Sequence, residues 1–156
     1  MTRTYIRAGL IAGLIGGALE SIYNIAALVG AVHLSLAQAA TTFFQFVAAQ
    51  AVGKPTAFSS PSYAWVGLPV QFVIAIVWAL VYAYIAQTRP NATRYAFASG
   101  LAFGLIVWAF MQVVQLSAGL PPPTPASIDF LLLDHVVFYA IPVAYTVNSL
   151  TRPRTA

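Results

Sequence analysis

Four apolar runs, residues 6–30, 63–86, 95–118 and about 128–150, are each long enough to cross a hydrocarbon core. Such a core is about 30 Å thick and takes roughly 20 helical residues. Backbone groups in that medium find no water, so each run must close its hydrogen bonds internally as a helix. Only 6% of the 156 residues are charged and 60% are hydrophobic, where a soluble domain carries about 25% charge. The expected fold is all-α, a four-transmembrane-helix bundle forming one integral membrane domain over residues 1–156, with the lipid bilayer as its first partner. The first run is too long for a secretory signal, and Glu20 interrupts its apolar core.

Between the first two runs, residues 34–52 carry no charge but hold Ser35, Gln38, Thr41, Thr42, Gln45 and Gln50. These recur mostly every three or four positions, opposite Leu36, Ala40, Phe43 and Val47, which predicts an amphipathic helix at the interface or re-entering the membrane. Charge tests the number of crossings. With four spans, Arg3, Arg7, Arg89, Arg94, Arg152 and Arg154 share one side and Lys54 stands on the other. A fifth crossing would split the arginines. The positive-inside rule therefore places both termini in the cytoplasm of a bacterial inner membrane. The net charge of +4 is this topological pattern and points to no nucleic-acid partner.

On a helix over 6–30, Gly9, Gly13, Gly16 or Gly17, Glu20, Tyr23 or Asn24, and Ala27 fall on one stripe, with Leu10, Ile11, Leu14, Ile15, Ile22 and Ile25 opposite. Small residues at this spacing let a neighbouring backbone approach closely. A carboxylate facing lipid costs roughly 2.5–3.5 kcal/mol on insertion scales, so Glu20 should face inward with the glycines.

Counted at 1.5 Å per residue, Gln71, Met111 and His135 reach the same depth as Glu20 in the other three helices. Around them the helical stripes place Asn24, Trp78 and Tyr139, with Gln115 one turn beyond Met111 and Tyr82 and Trp108 as further walls. Three uses of this layer compete. It can lock helix register, with Glu20 bonded to Gln71 and Asn24 or paired with His135, as in a structural or accessory subunit packing against itself or a larger membrane partner. It can be the ligand-binding residues of a binding or transport module for a hydrophobic small molecule, a lipid or a proton, since intramembrane ionisable groups mark such sites. It can ligate b-type haem through His135 with His33 or Met111, although His33 falls at a helix end. The first use is the leading expectation. Asp134 and His135 alone fall short of a metal's ligand count, so neither metal nor cofactor is expected.

No phosphate loop, nucleophile elbow, zinc-helix motif or glycosidase-like carboxylate pair is present, and the chain has no cysteine. No catalytic residue is expected. Pro142 should kink the last helix, and the run Pro121–Pro125 should make the connection before it stiff. Gly9–Ile15 resembles Gly100–Ile106 at an offset of 91 residues, and Thr88–Pro90 matches Thr151–Pro153 at an offset of 63. Two helix pairs in the same orientation would form a parallel repeat.

Glu20 late in the first helix, Gln45 through Ala49 with Gly53 and Phe58, Met111-Gln112, and His135 with Pro142 together resemble a group of small bacterial inner-membrane proteins without assigned function. The resemblance implies four helices, adds Gln112, beside Met111, to the candidate ligand-binding residues, and supplies no activity. The chain departs from that pattern at Gln71, where the group has a histidine, at Gln112 for asparagine and at Ala140 for glycine. The missing histidine removes a ligand that a metal or haem would use.

Overall fold

In the computed structural model, residues 1–122 and 125–152 are described. The middle of the proline run, Pro153 and Arg154 lie outside them. Helix α1 spans Arg3–Val32, α2 Leu36–Val52, α3 Ala64–Thr88 and α4 Ala96–Ser117. The last helix, α5 (125–151), is built from an α-helix Pro125–Leu133, a π-helix Asp134–Ala140 and an α-helix Ile141–Thr151. Four stretches are long and apolar enough to cross a membrane: Arg3–Val32, Pro61–Thr88, Ala96–Ser117 and Ile128–Thr151.

Helix α1 packs along α3 on one side and α5 on the other, and α4 packs against α5. Glycines set these approaches. A Cβ on Gly13 would stand 2.5 Å from the Cα of Ile76 in α3, and one on Gly104 of α4 would stand 2.8 Å from the Cα of Val136 in α5. Small residues replace the hydrophobic drive that lipid cannot supply. Leu10, Leu14, Ile15 and Ile22 face outward from α1, as a lipid-facing surface requires, while Ile11 and Ile25 of the expected outer side are half-buried at its edges. Between α3 and α4, rings bridge the gap: Trp78 meets Phe103 and Phe110 edge-on, and Tyr82 meets Phe103.

Helix α2 starts with a capping box in which the Gln38 amide N–H donates to Ser35 Oγ and the Ser35 N–H donates to Gln38 Oε1. It lies against α3, where Gly67 admits the Phe44 carbonyl; any Cβ there would collide with it. The face that packs keeps Phe43 and Val47 of the expected one and departs from it at two residues. Leu36 is exposed, while Gln45 is buried beside Phe43 and Val47. Gln45 Nε2 donates to the carbonyls of Ala57 and Ser60, at 3.1 and 3.0 Å. The chain after α2 folds back over it, and those buried carbonyls need a donor.

Pro142 was expected to kink the last helix, and the structure places a π-helical turn before it. Proline supplies no N–H to the carbonyl four residues earlier and crowds it. The Ile141 N–H bonds the Val136 carbonyl, five residues back. A π turn holds more residues than an α turn, so three consecutive residues, Asp134, His135 and Val136, are all buried.

Candidate functional site

The layer forms where the middles of α1, α3, α4 and α5 meet, and α2 closes it. Glu20, Asn24, Gln71, Trp78, Met111, His135 and Tyr139 line one small cavity of about 50 Å³, together with Phe43, Phe46, Val47 and Gln50 of α2. Gln112 does not line it. It sits one residue past Met111, about 100° further around α4, and its amide has no hydrogen-bond partner among the described residues. Tyr82 and Trp108 also lie off the cavity; the Tyr82 hydroxyl contacts Ser99 Oγ at 2.7 Å instead.

Two residues not singled out from the sequence as ligand-binding complete the site. Asp134 is 3% exposed, and its Oδ1 accepts from Asn24 Nδ2 at 2.7 Å. Asn24 was expected to serve the Glu20 side chain; it donates to the Glu20 backbone carbonyl at 3.0 Å and gives its side-chain bond to Asp134. Gln115, one turn beyond Met111, is 5% exposed and lines the cavity. Its side chain makes no hydrogen bond among the described residues.

Gln71 Nε2 donates to Glu20 Oε2 at 2.9 Å, the expected contact. Glu20 Oε1 lies 4.0 Å from His135 Nε2, too long for a hydrogen bond. His135 Nδ1 is 3.0 Å from the Leu131 carbonyl, and a carbonyl only accepts. In the neutral ring the proton therefore sits on Nδ1, and Nε2 keeps its lone pair for whatever enters the cavity. Asp134 Oδ2 is 3.4 Å from Nδ1. Tyr139 O–H donates to the Ala75 carbonyl at 2.6 Å, tying α5 to α3. Tyr23 stacks on Phe138 with centroids 4.1 Å apart, tying α5 to α1.

Glu20, Asp134 and His135 each offer one ligand atom, all within 4.8 Å of one another. Two carboxylates at that separation, both ionised, repel by about 3 kcal/mol or more at an effective dielectric of about 20. The arrangement calls for a neutralising positive charge, a proton or a cation. Haem does not fit: the cavity at His135 is of ion or water size, and His33 is exposed at the C-cap of α1 with φ 58°.

The layer also follows the sequence repeat. Glu20 and Met111, and Asn24 and Gln115, are 91 residues apart, while Gln71 and Asp134 are 63 apart. Each pair of helices thus contributes three corresponding positions to one cavity. No protein-family model matches the chain, and no curated protein or solved structure matches it.

Proposed function

We propose that this is a membrane-embedded binding module, of a kind that can serve transport, holding a small cation at the junction of its two helix pairs. A proton is the minimal case. The observation that carries this is the convergence of Glu20, Asp134 and His135 within 4.8 Å around a small cavity of about 50 Å³. That volume suits an ion with a water and is small for the hydrophobic ligand considered from the sequence. Two features support the reading. The site lies between related helix pairs, where transporter folds built from repeats place their sites, and the helix bearing two of the three groups is interrupted by a π turn, a frequent companion of function. The distribution of arginines supports a bacterial inner membrane with cytoplasmic termini, and α2 would then sit at the opposite interface.

Infrared difference spectra of the protein in liposomes, recorded across a proton or cation jump, test the proposal. The expected result is a carboxyl band change that Glu20→Gln removes at unchanged helix content. Identical difference spectra in both proteins would overturn it. The accessory-subunit reading remains the second proposal, favoured by the bonds Gln71–Glu20 and Asn24–Asp134, which fix register between helices. It requires a stoichiometric partner, or a stable oligomer, on purification in mild detergent.

A further inference from the structure

The chemistry of the cluster narrows the cation. We infer that Glu20, Asp134 and His135 form a site for a divalent transition-metal ion of the zinc class; the inference rests on the binding reading above and deepens it. Two carboxylates and one imidazole make a mixed oxygen and nitrogen donor set, suited to borderline divalent ions. Two negative charges are balanced by two positive ones, leaving the low-dielectric interior neutral. Ligand atoms on one ion, with bonds of about 2.0–2.2 Å, stand roughly 3–4 Å apart. The present separations, all within 4.8 Å, need only a small contraction.

Each of the three ligands already has an outer partner that orients it. Gln71 holds Glu20, Asn24 holds Asp134, and the Leu131 carbonyl holds the His135 ring with Nε2 open. Supporting bonds of this kind are what metal ligands regularly carry. An independent observation points the same way. Gln115, 5% exposed and lining the cavity, has no partner for its side-chain amide among the described residues. Its carbonyl oxygen is available as a fourth donor, or as the acceptor for a metal-bound water.

The test uses the full chain in nanodiscs, stripped with a chelator and titrated with zinc(II). One ion per chain is expected, and Glu20→Gln, Asp134→Asn and His135→Gln should each weaken binding by at least roughly 100-fold. Asn24→Ala, which removes the bond that orients Asp134, should weaken it by roughly 10–100-fold. His33→Gln at the exposed second histidine should leave it unchanged. X-ray absorption on the zinc-loaded wild type needs no variant, so misfolding cannot obscure it. It should show oxygen and nitrogen neighbours with the signature of one imidazole. An oxygen-only or sulfur-containing shell, absence of stoichiometric binding, or affinity unmoved by the three ligand variants would overturn the inference. If zinc fails while the Glu20-dependent infrared change persists on a proton jump, the binding reading stands and the metal assignment alone falls. Loss of both removes both.

Discussion

At the scale of single residues, lipid changes which contacts matter. Removing the Tyr139 hydroxyl by Tyr139→Phe breaks one bond to the Ala75 carbonyl, and polar contacts between membrane helices average only about 0.6 kcal/mol. A loss of about that size is expected in reversible unfolding from mixed micelles, and a loss several times larger would mean the hydroxyl supports more than one contact. Gly13 behaves differently. Any side chain there meets the Ile76 backbone 2.5 Å away, and backbone cannot move aside as a flexible side chain can. Gly13→Val should therefore cost about 1–3 kcal/mol and separate α1 from α3, read in the same unfolding assay. The glycine stripe and Glu20 were legible because a 3.6-residue period and the cost of a lipid-facing charge leave one orientation. Asp134 was not. As a pair, Asp134 and His135 supply too few ligands for a metal; adjacent α-helical residues diverge by about 100°, and only the π turn lets both side chains join Glu20.

At the scale of elements, the π turn carries two of the three converging groups. If Pro142 imposes it, Pro142→Ala restores an N–H and lets the ladder close at four-residue spacing. The Ile141 N–H would then bond Val137 in place of Val136, and Asp134 would rotate away from Asn24. A structure of the variant that kept the bond to Val136 would show that side-chain packing, not the proline, sets the turn. Proline in sequence announces a disturbed helix, but whether it answers with a kink or a wide turn depends on neighbours the sequence does not order. Helix α2 shows a similar gap. Its extent followed from polar positions recurring every three or four residues over 34–52, yet Gln45 was assigned to the polar face. Its real partners, the carbonyls of Ala57 and Ser60, lie at the end of the short helix Lys54–Ala57 and just beyond it, a path no periodicity encodes. Gln45→Leu strands both, at about 1–3 kcal/mol each. Amide exchange through residues 53–63 should rise well before the rest of the chain opens; unchanged exchange there would mean the loop is held by Leu120 and the alanines it covers.

At the scale of the whole molecule, orientation and internal repetition are linked. Two helix pairs in the same sense, each with glycines of its first helix seated on its second, put one end of every pair on the same side. On that side lie Arg3, Arg7, Arg89 and Arg94; on the other lies Lys54, whose backbone N–H bonds the Ala118 carbonyl at the far end of α4. Positive residues are retained on the cytoplasmic face, so the loop around Asn91 and the loop around Ser59 should face opposite compartments. The chain contains no cysteine, and both positions are exposed, so Asn91→Cys and Ser59→Cys each report on one side. In intact bacterial cells an impermeant maleimide should label Ser59→Cys and spare Asn91→Cys until the membrane is opened. Labelling of both in intact cells would mean that α3, which separates the two positions, does not cross, and the four-span arrangement would fall. Reversed labelling would mean either that the four-span molecule is turned over, with the α2-covered end of the cavity facing the cytoplasm, or that α2 crosses as a fifth span and divides the arginines between the faces. Thr2→Cys separates the two, labelled from outside in the first case and only from inside in the second.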